Sequence, residues 1–197
     1  ELISRCDRPM RVFDPFCGRG TTILESLLND RRAIGSDINP VAACVAGAKA
    51  NVPDLKDVLA RIKLLEGNFC NAVAATPPDD GFFKLCYSEK TLQQILFLRE
   101  HLNWKADRID RFVAAMMLGV LHGESHRTEL CLSNRMPRTI STKPEYSVRW
   151  GEERQLRPPE RDAFDVLKRT ALFRYGGEIP SRRGHVALGD ARYASEL

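Results

Sequence analysis

The chain has 197 residues, 43% of them hydrophobic and 28% charged, with a formal net charge of +4. That length holds one sizeable domain or a domain with a large insertion, and the apolar fraction supports a packed core. No apolar run is long enough to cross a bilayer, and the mild basic excess permits nucleic-acid contact without requiring it.

The opening residues, ELISRCDRPM, lack the continuous apolar core of a signal peptide, and the chain starts on Glu1 rather than Met, so a fragment is expected. The six cysteines (Cys6, Cys17, Cys44, Cys70, Cys86 and Cys131) are scattered, with no C-x-x-C pair and mostly apolar neighbours. That usage fits reduced, buried thiols in a cytoplasmic protein and offers no clustered ligands for zinc. His122 and His126, four apart, read as a polar helix end rather than a metal site.

In chain order, residues 10–14 (MRVFD) read as a short buried strand. Thr21 to Leu28 follows as a helix with Ile23, Leu24, Leu27 and Leu28 on one face, closed by Asn29-Asp30. Ala33 to Gly35 is a second strand ending at Asp37, and Asn39-Pro40 signals the start of a helix of small residues. This β-turn-α-β-turn-α order implies parallel strands with crossover helices, one half of a Rossmann-like sheet. Beyond Pro53 the pattern turns helical: LKDVLARIKLLEG, SEKTLQQILFLREHL with Ser88 as N-cap, DRIDRFVAAMMLGVLHG and PPERDAFDVLKRTALFRYGG. NFCNAVAATPPDDGFF reads as an irregular connection, and LSNRMPRTISTKPEYSVRW as an ordered loop. GHVALGDAR returns to a short buried strand ending at Asp190. The expected organisation is the first half of a cofactor-binding domain over 1–52, a helical insertion over 53–183 that faces substrate, and a return strand over 184–197.

The turn DPFCGRGTT carries the chemistry. Gly18 and Gly20 let the backbone bend sharply and approach a ligand, and the helix starting at Thr21 presents free N–H groups to an anion. The hydroxyls of Thr21 and Thr22 add donors. Asp14 either accepts from an ammonium or fixes the loop through backbone N–H groups. A dinucleotide fingerprint fails, because Ile23 stands where the third glycine belongs, and no G-K-[ST] follows for a P-loop. An acid facing a glycine turn suits a zwitterion, such as the methionine moiety of S-adenosylmethionine. Asp37 is placed to accept from ribose hydroxyls and Ile38 to pack on adenine, although Asp37-Ile38-Asn39-Pro40 is also a good helix start.

With GSDINP following it at this distance, DPFCGRGTT resembles motifs I and II of the S-adenosylmethionine-dependent DNA methyltransferases that modify exocyclic amines. Their motif I commonly reads D-P-F-x-G-S-G-T-T, and this chain departs from it at Arg19. The resemblance implies an α/β fold, a Rossmann-like class I methyltransferase sheet, and a cofactor site at Asp14, Pro15, Phe16, Cys17, Gly18, Gly20, Thr21, Thr22, Asp37, Ile38 and Asn39. HVALGDAR resembles the next strand motif, which puts Asp190 on the adenine amino group with Ala191 beside it. The implied activity is methylation of N4-cytosine or N6-adenine in DNA. The alternatives are methylation of RNA, transfer RNA included, and a non-catalytic S-adenosylmethionine-binding or interaction module. The middle of the chain more loosely resembles helical inserts of bacterial methylase-like proteins that contain Y-S-x-x-T-L and S-N-x-M-P-x-T-x-S.

The family's catalytic Asp/Asn/Ser-Pro-Pro-aromatic motif follows the strand after GDAR, so the resemblance implies an incomplete domain whose catalytic motif lies beyond Leu197. Thr76-Pro77-Pro78-Asp79 has the prolines but no aromatic, and reads as a loop breaker rather than a catalytic motif. The stretch from Arg127 to Trp150 is the internal candidate for nucleic acid. Arg135, Arg138, Lys143 and Arg149 are interleaved with Tyr146 and Trp150, so cations can meet phosphates and rings can meet bases. The same composition also describes a solvated loop anchored by its aromatics.

Overall fold

The computed structural model describes residues 11–71, 76, 78, 80–122, 130–134 and 143–196. Its elements are β1 (Arg11–Asp14), α1 (Thr21–Leu28), β2 (Arg32–Asp37), α2 (Pro40–Ala50), α3 (Leu55–Cys70), α4 (Gly81–Cys86), α5 (Glu89–His101), α6 (Arg108–Val120), α7 (Pro144–Glu152), α8 (Ala163–Tyr175), β3 (His185–Leu188) and a 3₁₀ segment (Ala191–Glu196). The fold is α/β, with a small parallel sheet and mostly helices. The chain forms two compact units. One comprises Glu1–Val58, Leu102–Ala115 and Phe173–Leu197, and the other Leu59–His101 and Met116–Leu172. Residues 53–183 thus contribute to both.

The first unit holds the sheet. Its order is β1-β2-β3, with both pairs parallel: Phe13 lies opposite Ile34, and Ile34 opposite His185. Side chains alternate across the strands, so Val12, Ala33, Gly35 and Val186 share one face. Ala33 and Val186 on that face join Cys17, Ile23, Leu27, Ala46 and Ala50 in the core of this unit. The helix α1 follows from its apolar stripe, and it ends where Asn29-Asp30 predicted. Asp30 takes φ 57, and the N–H groups of Asp30 and Arg31 return to the carbonyls of Leu27 and Ser26, a left-handed helix stop. Asn39 caps α2 by accepting from the N–H groups of Val41 (2.9 Å) and Ala42 (3.4 Å), with Pro40 in the first turn. Small residues along α2 allow close packing. Arg111 lies against Gly47 and donates to the carbonyls of Trp104 and Lys105, both at 2.8 Å.

Two expectations about burial need correction. β1 is not a buried strand: its side chains alternate between exposed and half-buried, and Phe13 is 49% exposed. In β3 only Val186 is buried. Both strands lie at sheet edges, and the second sheet face, with Arg11, Phe13, Arg32, Ile34 and His185, is largely exposed among the described residues.

The second unit is helical. Phe69 packs edge-on to Phe97 and tilted against Phe164, while the buried amide of Gln94 donates to Asp162 and accepts from the N–H of Ala163. Lys168 pairs with Glu66 at 2.6 Å. Ser88 caps α5 through the N–H of Thr91. Two helices were not legible as such. The irregular connection contains α4, opened by Asp80, whose carboxylate accepts from the N–H of Phe82 at 2.7 Å. The stretch read as an ordered loop ends in α7, which begins at Pro144 and packs Gly151 closely on Leu85.

Candidate functional site

The three strands each deliver an acid to their carboxyl ends. Asp14 ends β1, Asp37 ends β2, and Asp190 follows β3 by two residues. In parallel α/β sheets this is the edge where ligands bind. The turn after β1 is built by backbone geometry. Gly18 (φ 50) and Gly20 (φ 74) occupy the left-handed region that disfavours other residues. Gly20 is also constrained by space, since a Cβ there would meet the Cα and Cβ of Ala46 at 2.8 Å. Gly18 faces open space, with nothing within 4 Å of an added Cβ. One glycine thus locks the turn onto α2, and the other leaves its backbone approachable.

Carboxylates and carbonyls fix the rest of the turn. Asp14 Oδ1 accepts from the N–H of Phe16 at 3.1 Å, so the loop-fixing role expected of Asp14 is present. The N–H of Cys17 donates to Ser36 O at 3.0 Å, and that of Gly20 to Cys17 O at 2.7 Å. Ser36, buried in β2, donates through Oγ to Pro15 O at 3.3 Å. Asp37 joins the two turns: Oδ2 accepts from the N–H of Gly18 at 2.8 Å, and Oδ1 from that of Asn39 at 2.9 Å. The N–H of Gly189 donates to Asp37 O at 3.1 Å, which brings the β3 end alongside. Lys49 donates to Arg19 O at 2.7 Å and holds the turn from α2. Burial lowers the Lys49 pKa, and the Arg19 and Arg174 guanidinia lower it further.

No side chain caps α1. Its first N–H groups, at Thr21, Thr22 and Ile23, have no intrahelical acceptors. They meet an anion well, and the helix dipole adds to that preference. Beside the turn, Phe16 (78%), Ile38 (70%) and Val41 (50%) expose apolar surface. Asp190 is clasped by Arg192, which donates through Nη2 at 2.6 Å and through its backbone N–H at 2.9 Å. Those hydrogen bonds hold the Asp190 carboxyl down at about 2. Ala191 follows at the start of the 3₁₀ segment.

Cys17 is buried under the turn, and burial, with Asp37 and Asp14 adding to it, pushes its thiol up to about 11. It is a packing residue there, not a nucleophile. Every residue expected at the cofactor site lies in the sheet unit, around this one edge. Sequence reasoning passed over Ser36 and Lys49, whose tethering roles depend on contacts 21 and 30 residues away in the chain.

The candidate nucleic-acid residues are placed differently. Arg135 and Arg138 lie outside the described residues. Lys143 precedes α7, and Arg149 lies on α7 rather than on a loop; both are exposed. Tyr146, three residues before Arg149, is also exposed, whereas Trp150 is covered by the Arg154 guanidinium at 4.3 Å from the ring centroid. Thr76 falls in the connection between α3 and α4, not after a strand. Among the described residues no group of three or more His, Cys, Asp or Glu is arranged to hold a metal ion, and no helix is long and apolar enough to cross a membrane. No family model, curated protein or solved structure matches the chain.

Proposed function

We propose that this chain is the S-adenosylmethionine-binding part of a methyltransferase that acts on an exocyclic amine of a DNA base, N4 of cytosine or N6 of adenine. The observation that carries the reading is the glycine turn between Asp14 and the uncapped start of α1, tied across to the end of β2 by Asp37. The strand order also supports it, since β1-β2-β3 read backwards is the 3-2-1 half of a doubly wound sheet.

The donor set fits the cofactor. The N–H groups of Thr21 and Thr22 take the methionine carboxylate, and Asp14, whose Oδ1 already fixes Phe16, takes the ammonium through its other oxygen. Open space at Gly18 lets the backbone approach the ligand. Asp37 uses its remaining lone pairs for the ribose hydroxyls. Phe16 and Ile38 offer apolar faces to the adenine, and Asp190, ionised by its clasp with Arg192, accepts from the adenine amine. When bound, the cofactor supplies a methyl group activated for attack by an amine. These residues hold and orient it, which is the positional part of catalysis. Lys143, Arg149 and Tyr146 support a nucleic-acid partner through exposed charge and an exposed ring.

Amide chemical shifts test the reading. Addition of S-adenosylmethionine is expected to move the Gly18, Gly20, Thr21 and Thr22 resonances saturably, and NADH is expected to leave them unmoved. Equal responses to both would discard it. Methyl acceptance by DNA rather than transfer RNA separates the proposed substrate from the RNA alternative.

A further inference from the structure

Lys49 reaches the glycine turn from α2. It stands in the last turn of that helix, half-buried, and its side chain leans back toward the helix start, as helical side chains do. Its ammonium donates to Arg19 O at 2.7 Å, so the acceptor it meets is a neutral carbonyl. Two guanidinia share its surroundings. One is that of Arg19, exposed on the turn. The other is that of Arg174, in the last turn of α8, which is fastened beside α2 where the Tyr175 hydroxyl donates to Pro53 O. Burial lowers the Lys49 pKa, and both guanidinia lower it further. Among the described residues no carboxylate pairs with Arg19, Lys49 or Arg174. Asp54 and Asp57 act on the Tyr175 hydroxyl instead, where burial is the larger cause of its raised pKa. All these residues belong to one compact unit.

We infer that Arg19, Lys49 and Arg174 form a phosphate site beside the glycine turn, which takes a backbone phosphodiester of the nucleic-acid substrate. The ligand's identity rests on the methyltransferase reading; the anion site does not. Three cations held together without a counter-charge repel one another, and partial burial of the middle one adds to that cost. Packing does not call for the Arg19 guanidinium, which is exposed at the one position where the turn departs from D-P-F-x-G-S-G-T-T. The charge count favours phosphates. One carboxylate would offset a single cation of the three, whereas successive phosphodiesters of a strand carry one negative charge each. Guanidinia offer forked donors to two phosphate oxygens, and the ammonium keeps two N–H donors beyond the one given to Arg19 O. The place agrees as well, because a base must come to the cofactor turn to meet the methyl group.

Fluorescence anisotropy with a labelled DNA oligonucleotide at graded salt tests the site on the whole chain, with Arg19→Gln, Arg174→Gln and the double variant. All three keep the Lys49 hydrogen bond, which uses the Arg19 backbone. The double variant is expected to bind the oligonucleotide about tenfold more weakly and to reduce the salt slope by about two. Its affinity for S-adenosylmethionine, measured by calorimetry, is expected to be unchanged. Its unfolding midpoint is expected not to fall, because the substitutions relieve repulsion. An unchanged oligonucleotide affinity and salt slope with S-adenosylmethionine binding intact would overturn this inference and leave the cofactor reading standing. Oligonucleotide binding lost with these arginines in a chain that takes up no S-adenosylmethionine would do the reverse. A lowered unfolding midpoint would show that a carboxylate of the chain already pairs with the cluster, and would overturn the site. So would inorganic phosphate binding that the double variant abolishes in a chain that takes up no oligonucleotide, since the ligand would then be a small phosphate.

Discussion

The carboxylate of Asp37 reaches across 19 residues to accept the Gly18 N–H at 2.8 Å, while its other oxygen accepts from Asn39. One side chain therefore sets both the glycine turn after β1 and the start of α2. Asp37 is a structural tether as well as the proposed ribose acceptor, and its substitution should affect both roles. Asp37→Ala leaves two backbone donors without their acceptor and should cost about 1–3 kcal/mol of unfolding free energy. Asp37→Asn keeps an acceptor for one of them and should cost less. Urea denaturation of the two variants checks the order, and equal stability for all three proteins would contradict the tether.

The two glycines of the turn should respond differently. Gly20→Ala combines a left-handed backbone with a Cβ at 2.8 Å from Ala46 Cα and Cβ. The backbone penalty alone is about 1 kcal/mol, and the clash adds to it, since backbone must move. Gly18→Ala meets nothing within 4 Å and should show only the backbone penalty. It should nevertheless weaken S-adenosylmethionine, because its methyl group occupies the open approach. Thermal unfolding together with a binding titration separates the two effects; the prediction fails if Gly18→Ala is the more destabilised protein.

Alkaline stability follows from the buried thiols. Burial raises Cys17 and Cys44 to about 11 and Cys86 to about 12, from an ordinary value of 9.0. Above pH 9 the unfolded chain releases these protons first and binds fewer than the folded one. Stability present below pH 9 is therefore lost as pH rises through 11. The denaturant midpoint should fall over that interval, and Cys17→Ala with Cys44→Ala should flatten the fall. At pH 8 alkylating reagents should label the exposed Cys70 well before Cys17, Cys44 or Cys86. Labelling of Cys17 in the folded protein at the rate of Cys70 would contradict its place under the turn.

Arg192 controls the ionisation of Asp190. The clasp holds the carboxyl at about 2, so the acid stays charged well below its ordinary range near 3.8. Arg192→Ala should return it toward that range, so the Asp190 carboxyl protonates at a higher pH than in the parent chain. Side-chain carbonyl shifts followed through an acid titration read this directly. An unchanged midpoint would show that the clasp does not persist in solution.

Local signals made much of the sheet unit legible. Ile23, Leu24, Leu27 and Leu28 mark the helix, and the pair Asn39-Pro40 marks the start of the next; both act within a few residues. Burial of the strands was not legible, because Val12 and Phe13 read as core while the second face of β1 and β2 has no cover among the described residues. α4 is too short for a helical period, and Pro78 with the acids around it masks its Asp80 cap. In α7 the basic and Pro-rich composition hid a helix start at Pro144. At the site, residue types were visible but the tethers were not. The Asp37–Gly18, Ser36–Pro15 and Lys49–Arg19 hydrogen bonds join residues that only the parallel strand pairing brings together.

Calorimetric titration of S-adenosylmethionine into the folded chain tests the proposed cofactor site most directly, with Asp14→Ala and Ile38→Ser alongside because neither side chain supplies the Asp37 tether. Saturable one-to-one binding, weakened by both substitutions while both variants stay folded by circular dichroism, is the result expected. A chain that is folded by circular dichroism and takes up no S-adenosylmethionine, or binds it equally well with both side chains removed, would contradict it.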